Sequence, residues 1–194
     1  MSGTLILKFH PGYNKSRVNA RMTKAVEGLD GVQTVDMYAI YDHEDDLKAA
    51  EDVEIARLFA AERLCVQFPV HWFAATPRAM AWQDLVLNRL VFTHPHEGER
   101  VKGLPFMISA TAGQQHDTYR RGGANLYPLE ELLRPWEVSA KQSGFEWHPP
   151  FLAYGADDYD DGDVARVAHD FAERMDAWRP CRGEAGSGGH SGTN

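Results

Sequence analysis

The residues of this chain whose types and spacing could do chemistry concentrate in one run, Phe68-Pro69-Val70-His71-Trp72-Phe73-Ala74-Ala75-Thr76-Pro77. It follows the apolar stretch Leu64-Cys65-Val66-Gln67 and precedes an amphipathic segment starting near Arg78, so it reads as a strand end, a loop and a helix start. At the carboxyl end of a parallel strand, helix N-termini and unpaired backbone amides converge on an electron-rich ligand. Two prolines restrict the loop, and the rings of Trp72 and Phe73 offer flat faces to a planar heteroaromatic ligand.

Two further loops carry polar chemistry. After the first apolar run, His10 to Asn19 leads into a helix with Ser16 and Asn19 at its entry, where they either cap backbone donors or help hold a phosphate. Neither a Gly-Lys-Ser/Thr ending nor a G-x-G-x-x-G follows the first strand, so the common nucleotide cradles do not apply. Later, Thr111 to Tyr119 combines a hydroxyl with Gly113, which lets backbone amides approach the polar edge of a ligand. The His94 to Arg100 stretch holds histidines and carboxylates but lacks metal-ligand spacing; it reads as a solvent loop, and no metal is expected.

The elements that must position these loops alternate. Strands are expected at Thr4–Phe9, Val32–Tyr38, Arg63–Phe68, Leu104–Ala110 and Phe151–Gly155, with helices between and a last one capped by Asp163. Tyr41 to Asp52 is acidic and turn-like, Val53 to Ala61 is a short helix, and Leu129 to Gln142 is a helix reset at Pro135. Trp82 reads as core. Five strands in this order imply an α/β doubly wound parallel sheet, order 2-1-3-4-5, whose switch point falls between strands one and three. The loops His10–Asn19 and Pro69–Thr76 lie there. Residues 1–179 form one domain, and 180–194 read as a disordered Gly/Ser-rich tail.

With 194 residues and 43% hydrophobic content, one domain can bury a sizeable core. A net charge of -8 with no long basic patch argues against nucleic acid. Two cysteines, Cys65 in a buried strand and Cys181 in the tail, suggest no disulfide framework and a cytoplasmic protein, with no signal segment or membrane span expected.

Several pieces in order resemble a known family: His10-Pro11 with Ser16-x-x-Asn19, Val35-Asp36-Met37-Tyr38, Phe68-Pro69-x-x-Trp72-Phe73 with Pro77 and Trp82, and Thr111-x-Gly113 with Tyr119-Arg120-Arg121-Gly122-Gly123. Glu131-Leu132-Leu133-Arg134-Pro135-Trp136 and Pro149-Pro150-Phe151 with Tyr154-Gly155 extend the likeness. They are similar to the flavodoxin-like NAD(P)H dehydrogenase (quinone) family, to which DT-diaphorase belongs, and to its bacterial branch near the potassium-efflux ancillary quinone reductases. The resemblance implies FMN, with FAD the alternative, and NAD(P)H as donor in a ping-pong two-electron reduction of quinones. It implies that His10, Ser16, Val18 and Asn19 surround the phosphate arm, that Pro69, Val70, His71, Trp72 and Phe73 line the flavin ring, and that Thr111, Gly113 and Tyr119 meet its polar edge. Tyr119 is the catalytic candidate, with packing as its alternative role. The histidine of the family's Tyr-His proton relay has no counterpart in Arg120-Arg121-Gly122-Gly123, leaving His116 as a substitute donor. A homodimer is implied; the alternative function is a regulatory subunit of a glutathione-gated potassium efflux system, peripheral to the inner membrane through its transporter.

Overall fold

The computed structural model describes residues 3–178, so Cys181 and the expected tail lie outside the described residues. Strands β1 (Thr4–Lys8), β2 (Val32–Asp36), β3 (Arg63–Pro69), β4 (Pro105–Ala112), β5 (Glu146–Trp147) and β6 (Phe151–Tyr154) form one sheet, every pairing parallel. The order is β2-β1-β3-β4, followed by an edge position that β5 and β6 share: β5 pairs with Pro105–Phe106 and β6 with Ser109–Ala112. The single fifth strand expected from sequence is thus two short ones. Pro149 and Pro150 lie between them, and two residues without an N–H interrupt a ladder.

Helices α1 (Val18–Val26) and α9 (Asp161–Ala177) cover one face of the sheet, packed on Ile6, Cys65, Met107 and Ala153. The other face, carrying Leu5, Leu7, Leu64, Val66, Phe68, Phe106 and Ile108, is covered by α2 (Met37–Ile40), α3 (Glu44–Ala49), α4 (Glu51–Phe59), α5 (Pro77–Asn88), α7 (Leu129–Leu132) and α8 (Arg134–Gln142), while the short α6 (Pro95–Gly98) packs on the Arg89–Thr93 turn that follows α5. Successive side chains of a strand point to opposite faces, so near-continuous apolar runs mark strands buried on both sides.

Three local expectations are corrected. The acidic stretch 41–52 is mostly helical, because its carboxylates sit in the first turns of α3 and α4, where the helix dipole favours them, while Leu47, Ile55 and Leu58 are buried at helical spacing. The His94–Arg100 stretch continues α5 through a wide π turn at Arg89–Thr93 into α6, held by a two-pronged Arg89–Glu97 ion pair at 2.7 and 2.9 Å. Asp160, not Asp163, is the N-cap of α9: its carboxylate accepts the Asp163 amide at 2.8 Å, and Asp163 returns the capping-box contact. Pro135 does restart a helix, in the first turn of α8, and Trp82 is core, 1% exposed.

Candidate functional site

The loop after β3 closes as a hairpin. The His71 amide donates to the Ala74 carbonyl at 2.9 Å and the Ala74 amide to the His71 carbonyl at 3.0 Å, leaving Trp72 and Phe73 as the two central residues. Both have left-handed backbones, φ 49° and 64°, as a type I′ turn demands. Neither is glycine, and each such residue costs on the order of 1–2 kcal/mol. Trp72 is 93% exposed and Phe73 42%. Neither central amide enters the hydrogen-bonded pair. The hairpin therefore holds two aromatic rings out of the core at a conformational cost, a combination found at ligand clamps.

Three chain-distant loops meet beside it. The Val70 amide donates to the Thr111 carbonyl at 2.8 Å, tying the hairpin base to the end of β4. Asn19, buried in the first turn of α1, donates through Nδ2 to Thr111 Oγ1 at 2.8 Å, and its Oδ1 is buried with no protein donor. Ser16 Oγ accepts the Asn19 amide at 3.1 Å, ordering the entry to α1 ahead of Val18. Thr76 ends the hairpin loop by donating to the Phe9 carbonyl at 3.0 Å. His10 accepts the Gly12 amide on Nδ1 at 3.1 Å, which places its proton on Nε2. Burial, and then the nearby His71, hold its pKa below the ordinary 6.5 against an opposing pull from Asp36. His10, Ser16, Val18, Asn19, Pro69, Val70, His71, Trp72, Phe73 and Thr111 thus gather at the carboxyl ends of β1, β3 and β4.

Gly113 and Tyr119 form a neighbouring group. A Cβ on Gly113 would lie 2.2 Å from Asp157 Oδ2, so the Asp157 carboxylate rests against the bare glycine. Tyr119 is buried, its ring centroid 5.6 Å from that of Tyr154, and Tyr154 carries His116 edge-on at 4.7 Å. The Tyr154 hydroxyl donates to Glu130 at 3.3 Å. Burial first, then the charge of Asp157, raises the Tyr119 pKa above 10.0, so its phenol stays neutral. Sequence reading missed Asp157 and Tyr154 as neighbours of Tyr119, and Glu130 as the partner of Tyr154. The usable signal was topological: Asp157 follows the strand beside β4, and loops after adjacent parallel strands share one end of a sheet.

The chain matches the family described as flavodoxin-like fold over residues 2–177. It is 30% identical over 172 residues to YdeQ of Bacillus subtilis, described as an uncharacterized NAD(P)H oxidoreductase, covering 89% of this chain and 85% of that protein. It is 28% identical over 175 residues to the glutathione-regulated potassium-efflux system ancillary protein KefF of Klebsiella pneumoniae, covering 90% of this chain and 96% of that one. The crystal structure of general stress protein 14 from Treponema denticola in complex with FMN matches the fold with a TM-score of 0.80 at 28% identity, covering 91% of this chain and 99% of that one.

Proposed function

The chain belongs to the flavodoxin-like family, and from that premise we propose that it is an FMN-dependent NAD(P)H:quinone oxidoreductase, with FAD the alternative cofactor. The observation that carries this reading is the strained Trp72-Phe73 turn, set beside a buried Asn19 oxygen that has no protein donor. An aromatic clamp and an acceptor suited to a polyol hydroxyl fit a flavin nucleotide. The NAD(P)H oxidoreductase name of YdeQ and the FMN bound to general stress protein 14 support it.

When bound, FMN supplies two-electron transfer between a nicotinamide donor and a quinone acceptor. The protein supplies the rest. Ser16, Val18 and Asn19, at the N-terminus of the nine-residue α1, would hold the phosphate arm together with His10. Pro69, Val70, His71, Trp72 and Phe73 would line the ring, and Thr111 and Gly113 would meet its polar edge and stabilise developing negative charge there. Tyr119 is the catalytic candidate, holding a proton at Oη that a neutral phenol can donate. Donor and acceptor would use one pocket in turn, in a ping-pong cycle. The apolar side chains exposed beside the site, Trp72, Phe73, Leu126 and Tyr127, support a homodimer.

The test is the visible spectrum of the purified protein under anaerobic conditions. An oxidised-flavin spectrum that bleaches with NADPH or NADH and returns with menadione is the expected result. Protein that cannot be reconstituted with FMN or FAD, or flavin-loaded protein that reduces no quinone, would sink the proposal. The likeness to KefF favours a second reading, that of a regulatory subunit docked on a potassium efflux transporter. Retention of such a transporter on the tagged protein from solubilised membranes is expected on that reading, and its absence counts against it.

A further inference from the structure

A concavity of about 290 Å3 opens at the carboxyl ends of β1 and β2, walled in part by the His10–Lys15 loop. His10, Tyr13, Lys15, Asp36 and Tyr38 line it. Its volume is close to the lower end of small-ligand sites, roughly 300 Å3.

The lining is ordered from behind. Lys8, only 7% exposed, places Nζ 4.1 Å from the Tyr13 ring centroid, and Arg78, also buried, places its guanidinium carbon 4.1 Å from that of Tyr38. Arg78 is fixed in turn by donating to the carbonyls of Met37 and Asp42. Two aromatic rings of the lining are therefore each held by a buried cation. One carboxylate oxygen of Asp36 is engaged by the amides of Tyr38 and Ala39 at 3.0 and 3.2 Å. At the rim, the Lys15 ammonium pairs with no carboxylate among the described residues. In a chain of net charge -8, a concavity with two tyrosines, three nearby cationic side chains and one carboxylate is a local reversal of sign.

We infer that this cleft binds the adenosine phosphate portion of a nucleotide, with Tyr13 and Tyr38 against the purine, Lys15 on the phosphate and Asp36 accepting from a ribose hydroxyl. Aromatic faces take any planar base, a rim lysine takes a phosphate as a point charge, and a carboxylate is the usual acceptor for a sugar hydroxyl. The source of that portion, the donor dinucleotide or FAD, rests on the oxidoreductase reading; the binding itself does not.

The probe is ADP, titrated by calorimetry into FMN-saturated protein, so that the shared His10 and the α1 entry at Ser16, Val18 and Asn19 are already occupied and the titration reports on Tyr13, Lys15, Asp36 and Tyr38. One ADP per chain is expected, weakened about tenfold each by Lys15→Ala and Tyr38→Leu, with FMN retained. Lys15 is exposed, so its variant keeps the test valid even if Tyr38→Leu fails to fold. Absence of ADP binding at millimolar concentration, or binding that Lys15→Ala leaves unchanged, would overturn the assignment. A rise in the KM for NADPH in Lys15→Ala would identify the donor as the source, and a selective loss of FAD over FMN affinity would identify the cofactor. A protein that binds ADP yet reduces no quinone would leave this site standing while the oxidoreductase proposal fell.

Discussion

At the scale of single residues, the Trp72-Phe73 turn makes a direct trade between stability and binding. Two central residues at positive φ fit asparagine and glycine far better than two large aromatics. Replacing the pair by Asn-Gly should stabilise the ligand-free protein by about 1–2 kcal/mol, read by urea unfolding, and strip FMN during gel filtration. A double variant that is less stable than the parent would show that the rings support the fold rather than a ligand. His10 gives a pH dependence with a definite sign. Its folded pKa lies below 6.5, so its neutral form is the one the fold favours, and the associated stability is complete above pH 6.5 and drains away as pH falls through the lowered value. His10→Gln should therefore flatten the acid limb of a stability profile taken from pH 7 down to pH 5. An unchanged limb would place the acid sensitivity elsewhere.

At the scale of elements, one buried carboxylate joins α4 and α5 to Tyr41, the residue that ends α2. Glu54 on α4 is 1% exposed, accepts from the Tyr41 hydroxyl at 2.7 Å and from Trp82 Nε1 on α5 at 3.0 Å, and pairs with Arg57 at 3.2 Å. Trp82 in turn packs on Phe9, at the end of β1. Glu54→Ala would leave a buried phenol and indole without acceptors and should cost about 3–5 kcal/mol in chemical unfolding, whereas Glu54→Gln should cost less. Burial, and then Glu54 itself, push the Tyr41 pKa up from 10.0 to about 12. Tyr41 thus adds stability that is present below pH 10 and lost as pH climbs through 12, a loss that Tyr41→Phe should remove. Much of this scaffold was legible beforehand. Apolar runs such as Leu64–Phe68 announce strands buried on both faces, and Pro135 and Gly144 punctuate α8. The acidic helix α3 was hidden because its one buried anchor, Leu47, gives no periodicity to read. For the candidate site, Ser16, Asn19 and Thr111 stood out by their place at a helix entry and after a strand, and His10 came with the family resemblance. The Asn19–Thr111 bond that joins two of those loops, and the Asp157 carboxylate against Gly113, have no local signal and exist only once the sheet is assembled. The left-handed turn was equally invisible, since nothing in Trp72-Phe73 advertises positive φ.

At the scale of the whole molecule, charge and apolar exposure oppose one another. Each chain carries a net charge of -8, so two copies repel. Yet the end of the sheet that holds the site also exposes Trp72 at 93%, Leu126 at 62%, Tyr127 at 45% and Phe73 at 42%. Leu126, like the two hairpin aromatics, has a left-handed backbone, φ 66°, and so stands out of the core at a conformational cost of its own. Covering these side chains with a second copy would remove apolar surface from water just where the pocket needs a wall. A stable interface of this kind buries on the order of 1,600 Å2 in total and, being apolar at its centre, should outweigh a charge repulsion that salt screens within about 10 Å at 0.1 M. Sedimentation velocity should therefore show a dimer at micromolar concentration that tightens as salt is raised, the reverse of an interface built on ion pairs. Leu126→Asp should release monomers that still bind FMN, since Leu126 is not among the residues placed on the flavin. Its quinone turnover should fall along with the dimer fraction, because the wall of the pocket would then be missing. A wild-type protein that stays monomeric at 100 μM in high salt would overturn the dimer. The exposed apolar end would then be the surface through which the chain meets a different partner, and the second reading, docking on a transporter, would gain the face it needs.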